Sequence, residues 1–463
     1  MQKHWLIIPL LGISAAGSCF LRPMQDTTPP VSQTAPALPQ PAGSAGDFFG
    51  INEALSVPSA LVFSGRVSPE QQRVELEEDA RGVVALGAPI IRANSHTYPF
   101  FNHRSFSRSP VASQERADRY FEVLTGAEVD LLAVISPWPG IQTGNYTEHY
   151  LPDNLDDYAR FVERIVERYD GDGIEDAPGE LRGVLAWEID NEPDLHNRVQ
   201  PRGASRDIDP STFQTPAEYA EVLLVTAAAI RRADEDAFIL SAGMYNVRAP
   251  AGSAYLEAVL AVEGVLDAID AVALHCYSDD DGLEAIGETL AIGARLAPGK
   301  PIWITEIGVS SQGKHRWQSE EWQAGMVIGL HAAALIGGAD RLFWHTLADP
   351  PVQETRKPMP FAFHSLMRSL HSTWEGGEGK LRAMKPAGAA YARLTEHLAE
   401  ISRADISEIP TRGGRLMGAG DAMVAFWGTP ELPEGDWVIE DLITGQIRST
   451  SAAPAWISAR GGE

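Results

Sequence analysis

Eight short apolar runs, each followed by a stretch of helical period, constrain this chain more than any other feature. The runs are "DFFGINEAL" (47–55), "APIIRAN" (88–94), "VDLLAVISP" (129–137), "RGVLAWEIDNE" (182–192), "AFILSAG" (237–243), "IDAVALHCY" (269–277), "KPIWITEIG" (300–308) and "DRLFWHTLA" (340–348). Continuous runs of Ile, Val and Leu at this length read as strands covered on both faces, and hence as a parallel sheet. The stretches between them supply the covering helices. One begins at Pro69 behind Ser68, a cap followed by a first-turn proline. Another carries Leu155, Tyr158, Phe161, Val162, Ile165 and Val166 at helical spacing. A third opens with Thr215 and Pro216 and closes on Arg231 and Arg232, where cations suit the helix dipole. Eight strands, each followed by a helix, are the number that closes a (β/α)8 TIM barrel, placed here at residues 47–400. A doubly wound open sheet is the rival, but its glycine-rich phosphate loop is missing after the first run.

The flanks differ in composition. At 463 residues, 44% of them hydrophobic, one large domain plus a small one fits better than three equal domains. Within 401–463, "DAMVAFWGTP", "GDWVIEDLI" and "TGQIRST" read as short strands with glycine turns, a small β appendage on the barrel. At the other end, Lys3 and His4 precede an apolar stretch from Trp5 to Ala16 and small residues before Cys19. That is the shape of a signal peptide over residues 1–19 and implies export. The "AAGSC" ending resembles a bacterial lipobox, with Ala16 where leucine is usual. Lipidation of Cys19, giving a cell-envelope lipoprotein, and simple cleavage, giving a secreted protein, both stay open. Residues 20–46, rich in Pro, Ala, Ser and Thr, read as a solvated linker. A membrane partner is expected only through that N-terminal anchor. Two cysteines, Cys19 and Cys276, make no disulfide framework.

The net charge is −26, from 37 basic and 63 acidic residues. Such a chain repels nucleic acid and anionic surfaces and suits a neutral substrate. Its acids concentrate in "AWEIDNEPD" (186–194), where Glu188, Asp190, Glu192 and Asp194 alternate with Trp187, Ile189, Asn191 and Pro193. Like charges so close repel, which points to chemistry rather than folding. In a barrel the reactive groups stand at the C-terminal ends of strands. Glu192 closes the fourth run and Glu306 the seventh. Two carboxyl groups facing one pocket are what glycosidic cleavage needs, one protonated and one ionised.

The Asn191-Glu192-Pro193 triplet ending the fourth run, with Glu306 in "IWITEIG" ending the seventh, resembles glycoside hydrolase clan A, especially families 5 and 39. The resemblance covers about residues 47–350. It implies a retaining O-glycosyl hydrolase that cleaves a β-glycosidic bond in an oligo- or polysaccharide and needs no cofactor. It makes Glu192 the acid/base and Glu306 the nucleophile. Arg92 matches the arginine that contacts the nucleophile, and Asn191 the residue that holds the sugar 2-hydroxyl. His275 and Tyr277 match the region that orients the nucleophile, with the choice between them open. Trp344 matches the tryptophan floor beneath the sugar, and core packing is its competing role.

Other residues carry weaker expectations. Trp187, Trp303 and Trp437 read as core. Trp138, His96 and Tyr98 either line the mouth or pack beside it. Glu188 and Asp190 are expected to hold cations or backbone rather than react. Asp170, Asp172 and Asp176 resemble part of a calcium loop without the full EF-hand pattern, and a solvated turn is the main reading. "SDDDG" (278–282) reads as a turn or helix start, and no zinc spacing occurs. Two other classes fit the barrel: a carbohydrate-binding lipoprotein that has lost catalysis, and a metal-dependent hydrolase.

Overall fold

The computed structural model describes residues 42–52, 68–93, 101–103, 110–137, 152, 154–179, 181–194, 215–277, 282–312, 318–348, 363–369 and 382–460. The signal peptide, nearly all of the linker, His96, Tyr98, Trp138 and most of the 278–282 cluster lie outside the described residues.

All eight apolar runs become strands: β1 (Phe49–Asn52), β2 (Ile90–Ala93), β3 (Asp130–Ser136), β4 (Ala186–Ile189), β5 (Ile239–Leu240), β6 (Val272–His275), β7 (Ile302–Ile307) and β8 (Arg341–His345). A helix follows each of them: α1 (Pro69–Ala85), α2 (Pro110–Gly126), α3 (Leu155–Tyr169), α4 (Pro216–Ala233), α5 (Pro250–Leu260), α6 (Glu284–Leu296), α7 (Glu320–Ile336) and α8 (Pro386–Leu398). The strands pair in parallel in the order β5-β4-β3-β2-β1-β8-β7-β6. The remaining seam, between β5 and β6, is bridged at Leu240–Ala271 and Met244–Leu274. There Ser241 N–H donates to the Ala271 carbonyl at 3.2 Å, and His275 N–H to that of Met244 at 2.9 Å. The chain thus forms the (β/α)8 barrel.

The helices expected to begin at Pro69 and Pro216 do so. Asn154 caps α3 by accepting the Asp157 N–H at 3.0 Å. Thr215 and Glu218 form a reciprocal capping box at the start of α4, with Pro216 in its first turn. The inner face of α3 buries Tyr158, Phe161, Val162, Ile165, Val166 and Tyr169 against the barrel, leaving Leu155 half-buried.

Strand parity divides the core in two. Ile90, Leu132, Ala186, Leu240, Ala273, Trp303 and Phe343 fill the barrel interior. Their neighbours Ile91, Leu131, Trp187, Ile239, Leu274, Ile304 and Trp344 face the helix layer. Trp187 and Trp303 are thus both core, on opposite faces of the sheet. Gly50 takes the interior position on β1. A Cβ there would lie 2.5 Å from the Phe343 ring, so the missing side chain makes room for that ring.

After α8 the chain forms an antiparallel sheet from β9 (Ile406–Ile409), β10 (Gly414–Ala419), β11 (Ala422–Gly428), β12 (Trp437–Asp441), β13 (Ile447–Arg448) and β14 (Ala455–Ala459). Its order is β9-β10-β11-β14-β12-β13. It packs on the last helices. The rings of His397 on α8 and Trp456 stack 4.4 Å apart, and Arg393 donates to the Ile443 carbonyl at 2.7 Å. This is the expected β appendage.

Gly50→Ala should destabilise the protein by about 1–3 kcal/mol through overpacking. Adding Phe343→Leu should return part of that loss, because the two changes meet in one space. Denaturation midpoints of the four proteins of the cycle measure it. Strictly additive effects would contradict the contact.

Candidate active site

Towards the C-terminal ends of the strands, the interior positions change from apolar to polar. Asn52, Arg92, Glu188, Thr305 and His345 each stand two residues beyond Gly50, Ile90, Ala186, Trp303 and Phe343, the period that keeps a side chain on one face.

Arg92 lies at the centre and is fully buried. Its Nε and Nη2 donate to Glu188 Oε2 and Oε1 at 2.5 and 2.8 Å, a fork that links β2 to β4 past the intervening β3. Nη2 also donates to Asn191 Oδ1 at 2.8 Å. Nη1 donates to Asn52 Oδ1 at 2.9 Å and to Glu306 Oε1 at 2.8 Å. Burial alone would make this guanidinium lose its proton more readily. The Glu188 and Glu306 charges reverse that and hold it firmly cationic.

Glu306 reaches this cluster through a break in strand regularity. Ile302 and Ile304 face the helices and Trp303 the interior, so simple alternation would turn Glu306 outward. The register instead steps from Leu274–Ile304 to His275–Glu306, and from Leu342–Ile304 to Trp344–Ile307. One extra residue on β7 opposes both neighbours. This bulge lets Thr305 and Glu306 both face the mouth. Tyr277 Oη donates to Glu306 Oε2 at 2.7 Å, while Thr305 Oγ1 lies 3.4 Å from Glu188 Oε1.

The turn after β4 aims Glu192. Asp190 and Glu192 have φ of 72° and 49°, the left-handed region that residues other than glycine seldom adopt. Asp190 accepts the Asn191 N–H at 2.8 Å, and Glu192 N–H donates to the Gly243 carbonyl at 3.1 Å. Asp194, buried, accepts the Tyr245 and Asn246 N–H groups at 2.8 and 3.4 Å. Held this way, Glu192 Oε1 meets His275 Nδ1 at 2.7 Å, and the same nitrogen lies 3.7 Å from Glu306 Oε2. One donor atom from each of Glu192, His275 and Glu306 falls within 4.8 Å of the others.

The two carboxyl groups are driven in opposite directions. Burial raises both. For Glu306 the charges of His275 and Arg92, then His345 and the Tyr277 hydroxyl, more than reverse this and hold it well below the ordinary range. For Glu192 burial wins over the His275 contact and is reinforced by the Glu306 and Asp194 charges, so its carboxyl keeps its proton to higher pH. Burial lowers the proton affinity of His275, but the charges of Glu306 and Glu192 reverse it and raise the imidazole above its usual range. The Glu192–His275 pair therefore holds its protons to higher pH than the free groups would. His345 is pushed down by burial, against the pull of Glu306.

Trp344 requires a correction. It is fully buried on the helix side of β8, stacked on His331 of α7, and donates to the His364 carbonyl at 2.8 Å. Strand parity turns it away from the mouth and presents His345 instead. Asn52 Nδ2 lies 2.9 Å from His345 Nδ1, and the Tyr277 and His364 rings are 6.1 and 6.3 Å from the His345 ring. Arg92, Asn191, Glu192, His275, Tyr277 and Glu306 converge, and Trp344 does not. Sequence reasoning missed Asn52, His345 and Gly243. The first two could have been found by counting parity from the interior residues.

Two acidic groups have metal-ligand spacing. At Glu192, His275 and Glu306, Arg92 already supplies a fixed cation, beside which a divalent ion would be repelled. Asp170 and Asp176 are half-buried and Asp172 is exposed, and the three accept the N–H groups of Gly171, Asp172, Gly173 and Ile174. These are turn contacts. Burial, then the neighbouring acids, pushes the Asp170 carboxyl up to about 6.

Residues 184–330 match the family model described as "Glycosyl hydrolase catalytic core". The matched span contains Asn191, Glu192, His275, Tyr277 and Glu306. No curated protein matches the chain in sequence. Among solved structures, the chain is similar to a family 39 glycoside hydrolase from Bacteroides cellulosilyticus at 14% identity and TM-score 0.53. That superposition covers 90% of this chain and 81% of the other. A monomeric β-xylosidase from Caulobacter crescentus superposes at 17% identity and TM-score 0.51, over 87% of this chain and 74% of that one. A family 51 α-L-arabinofuranosidase from Bifidobacterium longum does so at 13% identity and TM-score 0.51, over 91% and 97%. At these identities the likeness is one of fold. The catalytic-core match thus agrees with a glycoside hydrolase, and the barrel is shared with these enzymes.

Among the described glycines, Gly243 touches the site most closely. A Cβ on it would lie 2.1 Å from His275 Nε2 and 2.7 Å from Thr305 Oγ1. Gly243→Ala should cost about 1–3 kcal/mol of stability by overpacking and displace the imidazole. Chemical denaturation and the proton NMR titration of His275 read the two effects. An unchanged midpoint and titration would contradict this close approach.

Proposed function

We propose that this protein is a retaining glycoside hydrolase acting on a β-glycosidic bond, with Glu306 as nucleophile and Glu192 as general acid and base. One observation carries the reading. A carboxylate whose proton affinity is lowered by His275 and a buried arginine has an oxygen within 4.8 Å of a carboxyl whose proton affinity is raised. Retaining enzymes hold their two carboxyl groups about 5–5.5 Å apart, whereas inverting enzymes need about 6.5–9.5 Å to admit a water. The catalytic-core match over 184–330 and the shared barrel support the same activity class.

In the first step the Glu306 carboxylate attacks the anomeric carbon, and the glycosidic C–O bond breaks. Its electron pair stays on the leaving oxygen, which takes the proton of Glu192. The product is a glycosyl ester on Glu306. In the second step Glu192, now a carboxylate, takes a proton from water as that water attacks the same carbon, and Glu306 leaves as the carboxylate. Tyr277 and Arg92 hold one oxygen each of Glu306 and fix its orientation. Asn191, anchored by Arg92 beside Glu192, is placed to meet the sugar 2-hydroxyl. A binding protein without catalysis is not favoured, because both carboxyl groups are in place. The N-terminal 19 residues support export, as a lipoprotein through Cys19 or as a secreted protein.

Glu306→Gln should lower turnover of an aryl β-glycoside by roughly four orders of magnitude or more, since it removes the nucleophile. Activity within tenfold of the unmodified protein would refute the assignment. The pH dependence has a definite sign. Glu306 is depressed, so it stays ionised, and the acid limb of kcat/KM lies below the ordinary glutamate value of 4.5. The Glu192–His275 proton is held more tightly, so the alkaline limb lies above 4.5 and activity falls as that proton leaves. A profile that rises through 4.5 and has no alkaline limb would oppose this division of roles.

A further inference from the structure

We propose that Glu188 is the standing counter-ion of Arg92 and thereby sets the balance between the two half-reactions. The inference rests on Glu306 being the nucleophile. Glu188 is fully buried on β4, four residues before Glu192. It takes two of the Arg92 N–H groups, accepts the Gly243 N–H at 2.8 Å, and has Thr305 Oγ1 at 3.4 Å. Glu306 takes one Arg92 nitrogen, at 2.8 Å.

That asymmetry matters because the Glu306 charge is temporary. When its oxygen bonds to the anomeric carbon, the carboxylate becomes a neutral ester. A buried guanidinium paired with Glu306 alone would then be stranded without a partner, at high cost. Glu188 cannot be consumed, so it keeps the Arg92 charge compensated throughout the cycle. It also shares the guanidinium, which limits how strongly Arg92 stabilises the resting Glu306 carboxylate and so preserves its nucleophilicity. Without the Glu188 charge, Arg92 would favour free Glu306 over its ester. Ester formation would then slow, while ester hydrolysis, which regenerates the carboxylate, would not. Glu188 is thus a positioning residue that acts through Arg92.

The test uses the full chain and the 2,4-dinitrophenyl 2-deoxy-2-fluoro-β-D-glucoside, xyloside and galactoside. Each reagent forms the ester with release of dinitrophenolate, and hydrolysis of that ester restores activity. The inactivation rate therefore reports the first half-reaction and the recovery rate the second. In Glu188→Gln, which keeps the shape and removes the charge, inactivation should slow on the order of 100-fold. Recovery should be no slower than about one-third of the unmodified rate, or faster. A purely structural role would slow both steps alike, and that result, or no change in either, would overturn the inference. If E188Q fails to fold by circular dichroism, E188D keeps the charge, retracted by one methylene, and carries the test. Inactivation slowed at least threefold with recovery unaffected supports the inference, and equal slowing of both overturns it. If peptide mapping of the unmodified protein finds the label away from Glu306, the nucleophile assignment falls first and this inference with it.

Discussion

A single buried cation organises the mouth of this barrel. Arg92 rises from the second strand, fully buried, and binds side chains from β1, the end of β4 and β7. Its charge helps to keep the buried Glu306 ionised, and the guanidinium in turn stays charged through the carboxylates it binds. From that mutual dependence follow an ionised Glu306, the fixed amide of Asn191, and a neighbouring glutamate whose own surroundings retain a proton. Removing either member of such a network costs far more than adding the pair gained, so the site is rigid as well as polar.

The same constraint explains the run of four acids at residues 186–194. Each finds a different partner within a few ångströms. Glu188 meets a guanidinium, Asp190 the next backbone amide, Glu192 an imidazole, and Asp194 the amides of the loop after β5. What reads in the sequence as a block of like charge is, in three dimensions, four separate environments. The left-handed residues Asp190 and Glu192 separate them, because each such residue redirects the chain.

The barrel was legible in the sequence because its signals are local. All eight apolar runs form strands, and the Thr215 cap starts its helix. In the appendage, the three strongest strand patterns were visible, whereas β9, β10 and β14 were not identified. Most of the site was legible through its acids and the residues around them. Side-chain direction was the less visible part. The family resemblance makes Trp344 the floor of the mouth, yet strand parity sends it to the helices and gives His345 the interior position. Glu306 is the opposite case, since parity alone would misplace it. Only the extra residue on β7, a property of its pairing with both neighbours, turns it inward. Gly243 escaped notice because its importance lies in His275, a side chain from another strand.

The central claim is that the spacing of Glu192 and Glu306 leaves no room for a water between nucleophile and sugar, so the reaction passes through an ester. Stereochemistry reads this directly. Proton NMR of an aryl β-glycoside hydrolysis, followed from the first minutes before mutarotation, resolves the two anomers of the released sugar. The account predicts that the β-anomer forms first. First-formed α-anomer would mean inversion by direct attack of water, and would contradict it.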